Sequence, residues 1–84
     1  SVLFGNSPNP SNGQTTIYYR LSTKAQRAEI FISDAGGKDI VRTQVLQGSG
    51  SLAVDCITYP AGMYFYSLIV DGKVIDTKQM VIQR

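Results

Sequence analysis

Met63-Tyr64-Phe65-Tyr66-Ser67-Leu68-Ile69-Val70, followed at once by Asp71-Gly72 and then Lys73 to Gln83, decides the fold. In the first run Tyr64, Tyr66, Leu68 and Val70 share one parity and Met63, Phe65 and Ile69 the other, and β-branched and aromatic residues at period two suit a pleated surface. Apolar on both faces, this run predicts a central strand covered from both sides. Asp71-Gly72 supplies two positions that tolerate positive φ, as a two-residue hairpin turn requires. The run beyond it puts Val74, Asp76, Lys78, Met80 and Ile82 in one parity and Ile75, Thr77, Gln79, Val81 and Gln83 in the other. That mixed pattern predicts an edge strand.

The same period recurs upstream. In Thr15 to Leu21 the residues Ile17, Tyr19 and Leu21 fall on one face, and in Ala28 to Asp34 the residues Ala28, Ile30 and Ile32 do. Ala35-Gly36-Gly37 is read as a hairpin turn with both glycines at positive φ, leading into a third strand from about Ile40 to Leu46. Gln47-Gly48-Ser49-Gly50 forms the next turn, and a further strand starts at Ser51 with Leu52, Val54 and Cys56 on one face. Residues 22–29 carry no apolar stripe beyond two alanines and predict a polar loop rather than a helix. Gly5 to Gln14 holds only turn-forming and small polar types, so residues 1–14 predict a lead-in loop and residues 15–84 the folded domain. The expected fold is all-β, a small antiparallel immunoglobulin-like β-sandwich of about seven strands.

Composition narrows the function. The 84 residues describe one small domain, of a size that buries only about 60–65% of its unfolded surface and leaves little core to frame a deep cleft. With no His and a single Cys, Ser/His and Cys/His pairs, an intramolecular disulfide and a zinc cluster are excluded. The formal charge of +2 is spread without a basic run, which argues against nucleic acid. The longest apolar-like stretch, Ala61 to Val70, is ten residues, against the roughly 20 that a membrane helix needs. Ser1 to Gly5 lacks the charged start and apolar core of a secretory signal, so an exported parent is expected to carry its signal upstream.

The candidate sites each have a plainer explanation. Asp34, Asp39, Asp71 and Asp76 flank two turns, and without Asp-x-Asp clustering they read as turn residues rather than calcium ligands. Glu29, the single glutamate, has no carboxylate partner nearby in sequence. Cys56 shares the inward parity of Leu52 and Val54 and reads as core. Tyr18, Tyr59, Tyr64, Tyr66, Phe31 and Phe65 could make a sugar-stacking platform, but at strand spacing they read first as core and cross-strand pairs. The expectation is therefore no catalytic residue, no metal and no cofactor.

Read in order, Pro8-Asn9-Pro10, Gly13 to Leu21, Ile30 to Lys38, Pro60-Ala61-Gly62-Met63-Tyr64, Asp71-Gly72-Lys73 and the closing Lys78-Gln79-Met80-Val81-Ile82-Gln83-Arg84 resemble the type A C-terminal sorting domain of the type IX (Por) secretion system of Bacteroidota. Ser33, Asp39 and Tyr59 depart from it, standing where the family usually has an aromatic, an apolar residue and Leu. The resemblance implies an export address at the end of a larger cargo, read by an outer-membrane translocon and its shuttle protein. It further implies removal by a sortase-like cysteine protease and attachment of the cargo to anionic lipopolysaccharide, with a destination at the cell surface or outside the cell. On these motifs the recognition residues are Asn9, Pro10, Gly62, Tyr64, Gly72, Lys73, Lys78, Met80, Val81, Ile82 and Arg84. The final hairpin, Gly62 to Arg84, is expected to add to a partner sheet, with Lys78 and Arg84 steering and Met80, Val81 and Ile82 as apolar anchors, or with Met80 and Ile82 simply packing the core. The alternative reading is a carbohydrate-binding or adhesive module of the same architecture. A dimer through unpaired edge strands is also expected.

Overall fold

The computed structural model describes residues 1–45 and 49–83. Leu46 of the expected third strand, Gln47 and Gly48 of the turn expected after it, and Arg84 of the expected recognition residues lie outside the described residues. Among those described there are seven strands: β1 (Val2–Ser7), β2 (Gln14–Arg20), β3 (Ala28–Asp34), β4 (Asp39–Val45), β5 (Ser49–Asp55), β6 (Gly62–Val70) and β7 (Lys73–Ile82). They form two antiparallel sheets, ordered β1-β2-β5 and β4-β3-β6-β7, packed face to face as an immunoglobulin-like sandwich.

Period-two patterning converts directly into the core. Thr15, Ile17 and Tyr19 of β2, Ala28, Ile30 and Ile32 of β3, Tyr64, Tyr66 and Leu68 of β6, and Met80 and Ile82 of β7 are all buried, while their alternates face outward. β6 is central, as its two apolar faces predict, but only one face is covered by the second sheet. On the other face Ile69 is shielded by its neighbours, Phe65 is half-buried and Met63 is exposed.

The turns follow from side-chain chemistry. Asp71 (φ 50°) and Gly72 (φ 85°) join Val70 to its register partner Lys73, the geometry of a type I′ turn. At the β3–β4 hairpin only Gly37 has positive φ, in contrast to the expected pair, because the Asp34 carboxylate accepts from the Gly36 and Lys38 N–H groups and sets the rest of the turn. Asp39 pairs with Ser33 while Val41 pairs with Ile32, so Ile40 is an extra residue and the polar Asp39 is accommodated by a bulge.

Residues 1–14 correct the sequence reading. They were expected as a lead-in loop, yet Val2–Ser7 forms β1, paired along β2, and Leu3 is buried in the core. Gly5, Asn6 and Ser7 have weak strand propensity, and β1 exists because β2 offers a full row of backbone partners beside a pocket for Leu3.

Candidate recognition surface

Two stretches that lie some seventy positions apart in sequence meet at one edge of the sandwich. The Val81 N–H donates to Asn9 Oδ1 (3.0 Å), the Ser11 N–H donates to the Val81 carbonyl (2.9 Å), and the Gln83 N–H donates to the Ser11 carbonyl (2.9 Å). Ser11 thus forms a short parallel bridge with Ile82 and closes the C-terminal end of an otherwise open strand. The edge-strand expectation for Lys73 to Gln83 holds in its pairing, since β7 borders its sheet. Its last main-chain groups, however, are already taken.

The loop that makes this clamp is held from beneath. Asn6 Nδ2 donates to Thr15 Oγ1 (3.0 Å), Thr15 Oγ1 donates to the Pro8 carbonyl (2.9 Å), and the Tyr66 hydroxyl donates to Asn6 Oδ1 (3.0 Å). Burial, and then the Asp76 carboxylate, push the Tyr66 phenol up to about 12, so it stays a donor through the physiological range. Ser11 is itself buried, its Oγ 3.4 Å from Cys56 Sγ. Cys56 is therefore a core residue, as its parity indicates.

The Pro60-Ala61-Gly62-Met63-Tyr64 motif has a local explanation. The Tyr64 hydroxyl donates to the Pro60 carbonyl (2.6 Å), Gly62 takes φ 150°, and the Tyr59 ring sits 5.5 Å from that of Tyr64. Burial and then the Cys56, Tyr64 and Asp55 groups raise the Tyr59 phenol as well. At the far end of the hairpin, Asp71 Oδ1 accepts from the N–H groups of Gln26 and Arg27 (3.1 and 2.9 Å), and the Asp71 N–H donates to the Arg27 carbonyl. Asp71-Gly72-Lys73 therefore fastens the hairpin to the loop between β2 and β3.

The register gathers Gly62, opposite Ile82, and Tyr64, opposite Met80, beside Val81 and the Asn9-Pro10 loop. Gly72 and Lys73 lie at the other end of β6, roughly 25–30 Å away by strand rise, and Lys78 lies between. Met80 (0% exposed) and Ile82 (1%) pack the sandwich, so they are not surface anchors of the folded domain. Val81, half-buried, pairs across the outer face with exposed Met63 and is the one apolar side chain of the three turned outward. Sequence reading leaves the loop of residues 6–12 open between a recognition loop and a lead-in linker without singling out Asn6 or Ser11, and it does not mark Met63 as exposed. Asn6 and Ser11 sit in a turn-rich stretch whose composition carries no sign of burial, and Met63 was assigned to a covered face.

The aromatic side chains do not gather into one platform. Tyr64 and Tyr66 are core, Phe31 lies under the Arg42 guanidinium (4.7 Å), which also faces Glu29 (3.6 Å), and Phe4 lies under that of Arg20 (5.6 Å). Tyr18 is exposed on the outer face of β2. Among the described residues no group of three or more His, Cys, Asp or Glu could hold a metal ion, and no helix is long and apolar enough to cross a membrane.

The fold and this surface define a small β-sandwich whose distinctive feature is a joined pair of terminal motifs rather than a reactive cleft. Residues 7–83 match the model of the secretion system C-terminal sorting domain, and the chain belongs to that family, the sorting domains of type IX secretion. The family is one of sorting signals, not of enzymes, and its role is export of an attached cargo to the cell surface or beyond. A search of curated proteins gave no match to the chain.

Proposed function

We propose that this domain is the export address of a larger cargo, and that the outer-membrane translocon and its shuttle read it as a folded surface. That surface runs along the β7 edge of the sandwich: Asn9 and Pro10, the Met63–Val81 pair of the outer face, and the half-buried Lys78, which has the inward parity and would be reached from the edge rather than from that face. The observation that carries the reading is the Asn9–Val81 hydrogen bond, which makes the N- and C-terminal family motifs one place in space. Arg84 lies outside the described residues. Removal of the domain by a sortase-like cysteine protease, and transfer of the cargo to anionic lipopolysaccharide, complete the proposed route.

The test is a secretion assay with residues 1–84 fused to the C-terminus of a periplasm-directed fluorescent protein. Fluorescence should reach the surface or medium only in a type IX-competent strain. Lys78→Glu with Val81→Glu should hold the fusion in the periplasm while the domain still melts cooperatively. Unchanged export of that double variant would overturn the proposed surface, and retention of the unaltered fusion with its domain folded would overturn the sorting role. In that second case glycan binding through exposed Tyr18 and Phe4 becomes the reading to test.

A further inference from the structure

The sandwich has four strand edges, and they are protected very unequally. β7 is guarded along its length: Asn9 and Ser11 occupy Val81, the Asp76 carboxylate accepts from the Thr77 N–H (2.9 Å), and a bulge at Ile75 breaks the row. Lys78 adds a charge in the inward parity of Met80 and Ile82. These are the devices by which proteins block edge-to-edge pairing. β1 lies against β7 and closes that side of the sandwich. β4 is interrupted by its bulge at Ile40 and carries Arg42.

β5 has only Asp55, at its very end, whose carboxylate accepts from the Ile57 N–H (3.2 Å). It pairs with β2 over seven consecutive residues, Ser49 to Asp55, without a register shift, and contains no Pro, Lys or Arg. The Cys56 N–H donates to the Gly13 carbonyl (2.8 Å), which makes Gly13–Cys56 a hydrogen-bonded pair. Alternation along an antiparallel ladder then turns the N–H and C=O groups of Ser51 and Ala53 away from β2. Among the described residues, nothing covers the sandwich beside this edge. Val41 and Thr43 of β4 have the inward parity of Ile32 and Ile30, yet Val41 is 38% exposed and Thr43 only half-buried. With Leu52 and Tyr59 they line a cleft of about 190 Å³ between the sheets.

We propose that the β5 edge is a self-association surface and that its occupant is a second copy of this chain. The pattern of the strand is self-complementary about a two-fold axis at Leu52. Ser51 then faces Ala53 of the partner subunit, and each such pair exchanges two main-chain hydrogen bonds. Leu52 meets Leu52 of the partner subunit at a non-hydrogen-bonded position, and Asp55 lies opposite Ser49, so no like charges oppose. The two three-stranded sheets join into one of six strands, closed by symmetry, and the two open clefts face each other. A foreign strand would cover one cleft; a second copy covers both.

Oxidative cross-linking and sedimentation equilibrium test this on the whole chain. Leu52→Cys should form a disulfide-linked dimer readily, because Cα atoms at a non-hydrogen-bonded pair lie within disulfide range, whereas Gln79→Cys on the guarded β7 should stay monomeric. Buried Cys56 gives no background. The unaltered chain should pass from monomer to dimer between micromolar and millimolar concentration. Ala53→Pro, which removes an N–H with no intrachain partner in the ladder, should shift that midpoint at least tenfold upward while the domain melts cooperatively. A monomer throughout the range, cross-linking through Gln79→Cys in place of Leu52→Cys, or a folded Ala53→Pro that dimerises like its parent would each overturn the proposal.

Discussion

Tyr66 holds the clamp loop from beneath through Asn6, while Asn9 binds Val81 from the loop itself, and each gives a residue-scale prediction. Asn9 is exposed, so Asn9→Ala should cost little global stability, about 0.5–1.5 kcal/mol. Hydrogen exchange of the Val81 amide should rise well beyond that of its neighbours, since its acceptor is gone, and Asn9→Asp should restore protection. Tyr66 links stability to pH. Its folded phenol titrates at about 12 against an ordinary 10.0, so the unfolded chain loses this proton first as pH rises. Stability from this source is complete below pH 10 and is lost progressively between about 10 and 12. Tyr66→Phe should flatten denaturation midpoints over that window, leaving the smaller contribution of Tyr59, whose phenol is raised in the same direction.

At the scale of elements, strand pairing depends on individual close approaches. Gly50 of β5 lies directly opposite Tyr19 of β2, and a Cβ placed there would come within 2.6 Å of the Tyr19 hydroxyl and 2.8 Å of the ring. The ring is buried and has little room to move. Gly50→Ala should therefore destabilise by about 1–3 kcal/mol in urea denaturation, the range for overpacking, and a second substitution, Tyr19→Leu, should recover part of the loss. β7 divides its work by parity. Met80→Ala should cost about 2–5 kcal/mol through loss of buried contacts, and any export defect should track unfolding. Val81→Ala should leave thermal stability nearly unchanged, so an export defect there would report recognition.

For the whole molecule, the last strand is also the last part of the core to be synthesised. Deleting residues 79–84 removes Met80, Ile82 and the Val81–Ser11 closure together. The loss of two buried side chains is comparable with the total stability of a small domain, about 5–15 kcal/mol. The truncated chain should lose its cooperative thermal transition by circular dichroism, so truncation cannot separate signal from fold and outer-face substitutions are needed. By the same argument the domain completes its fold only after its final residues exist. An address read as a folded surface would then be legible only once β7 has been made.

Much of this architecture was written into the order of residues. Period-two patterning in Thr15–Leu21, Ala28–Asp34 and Met63–Val70 identifies strands and their buried faces because alternation is a local property of extended backbone. Asp71-Gly72 specifies its turn for an equally local reason, and the ordered motifs identify the family without coordinates. What remained for tertiary structure was everything that depends on a partner from afar. β1 forms from weak strand formers because β2 lies alongside, and Asn9 and Ser11 reveal no role until Val81 and Gln83 arrive beside them. The parity of Met80, Val81 and Ile82 is legible, but which parity faces the core is decided only when the second sheet covers one side of β7. Likewise, which edge stays open depends on which strands end up neighbours. Backbone hydrogen bonds are non-local in a sandwich, so the sequence determines the strands that carry a period-two pattern, and packing determines both the unpatterned β1 and which edges and faces remain free to be read.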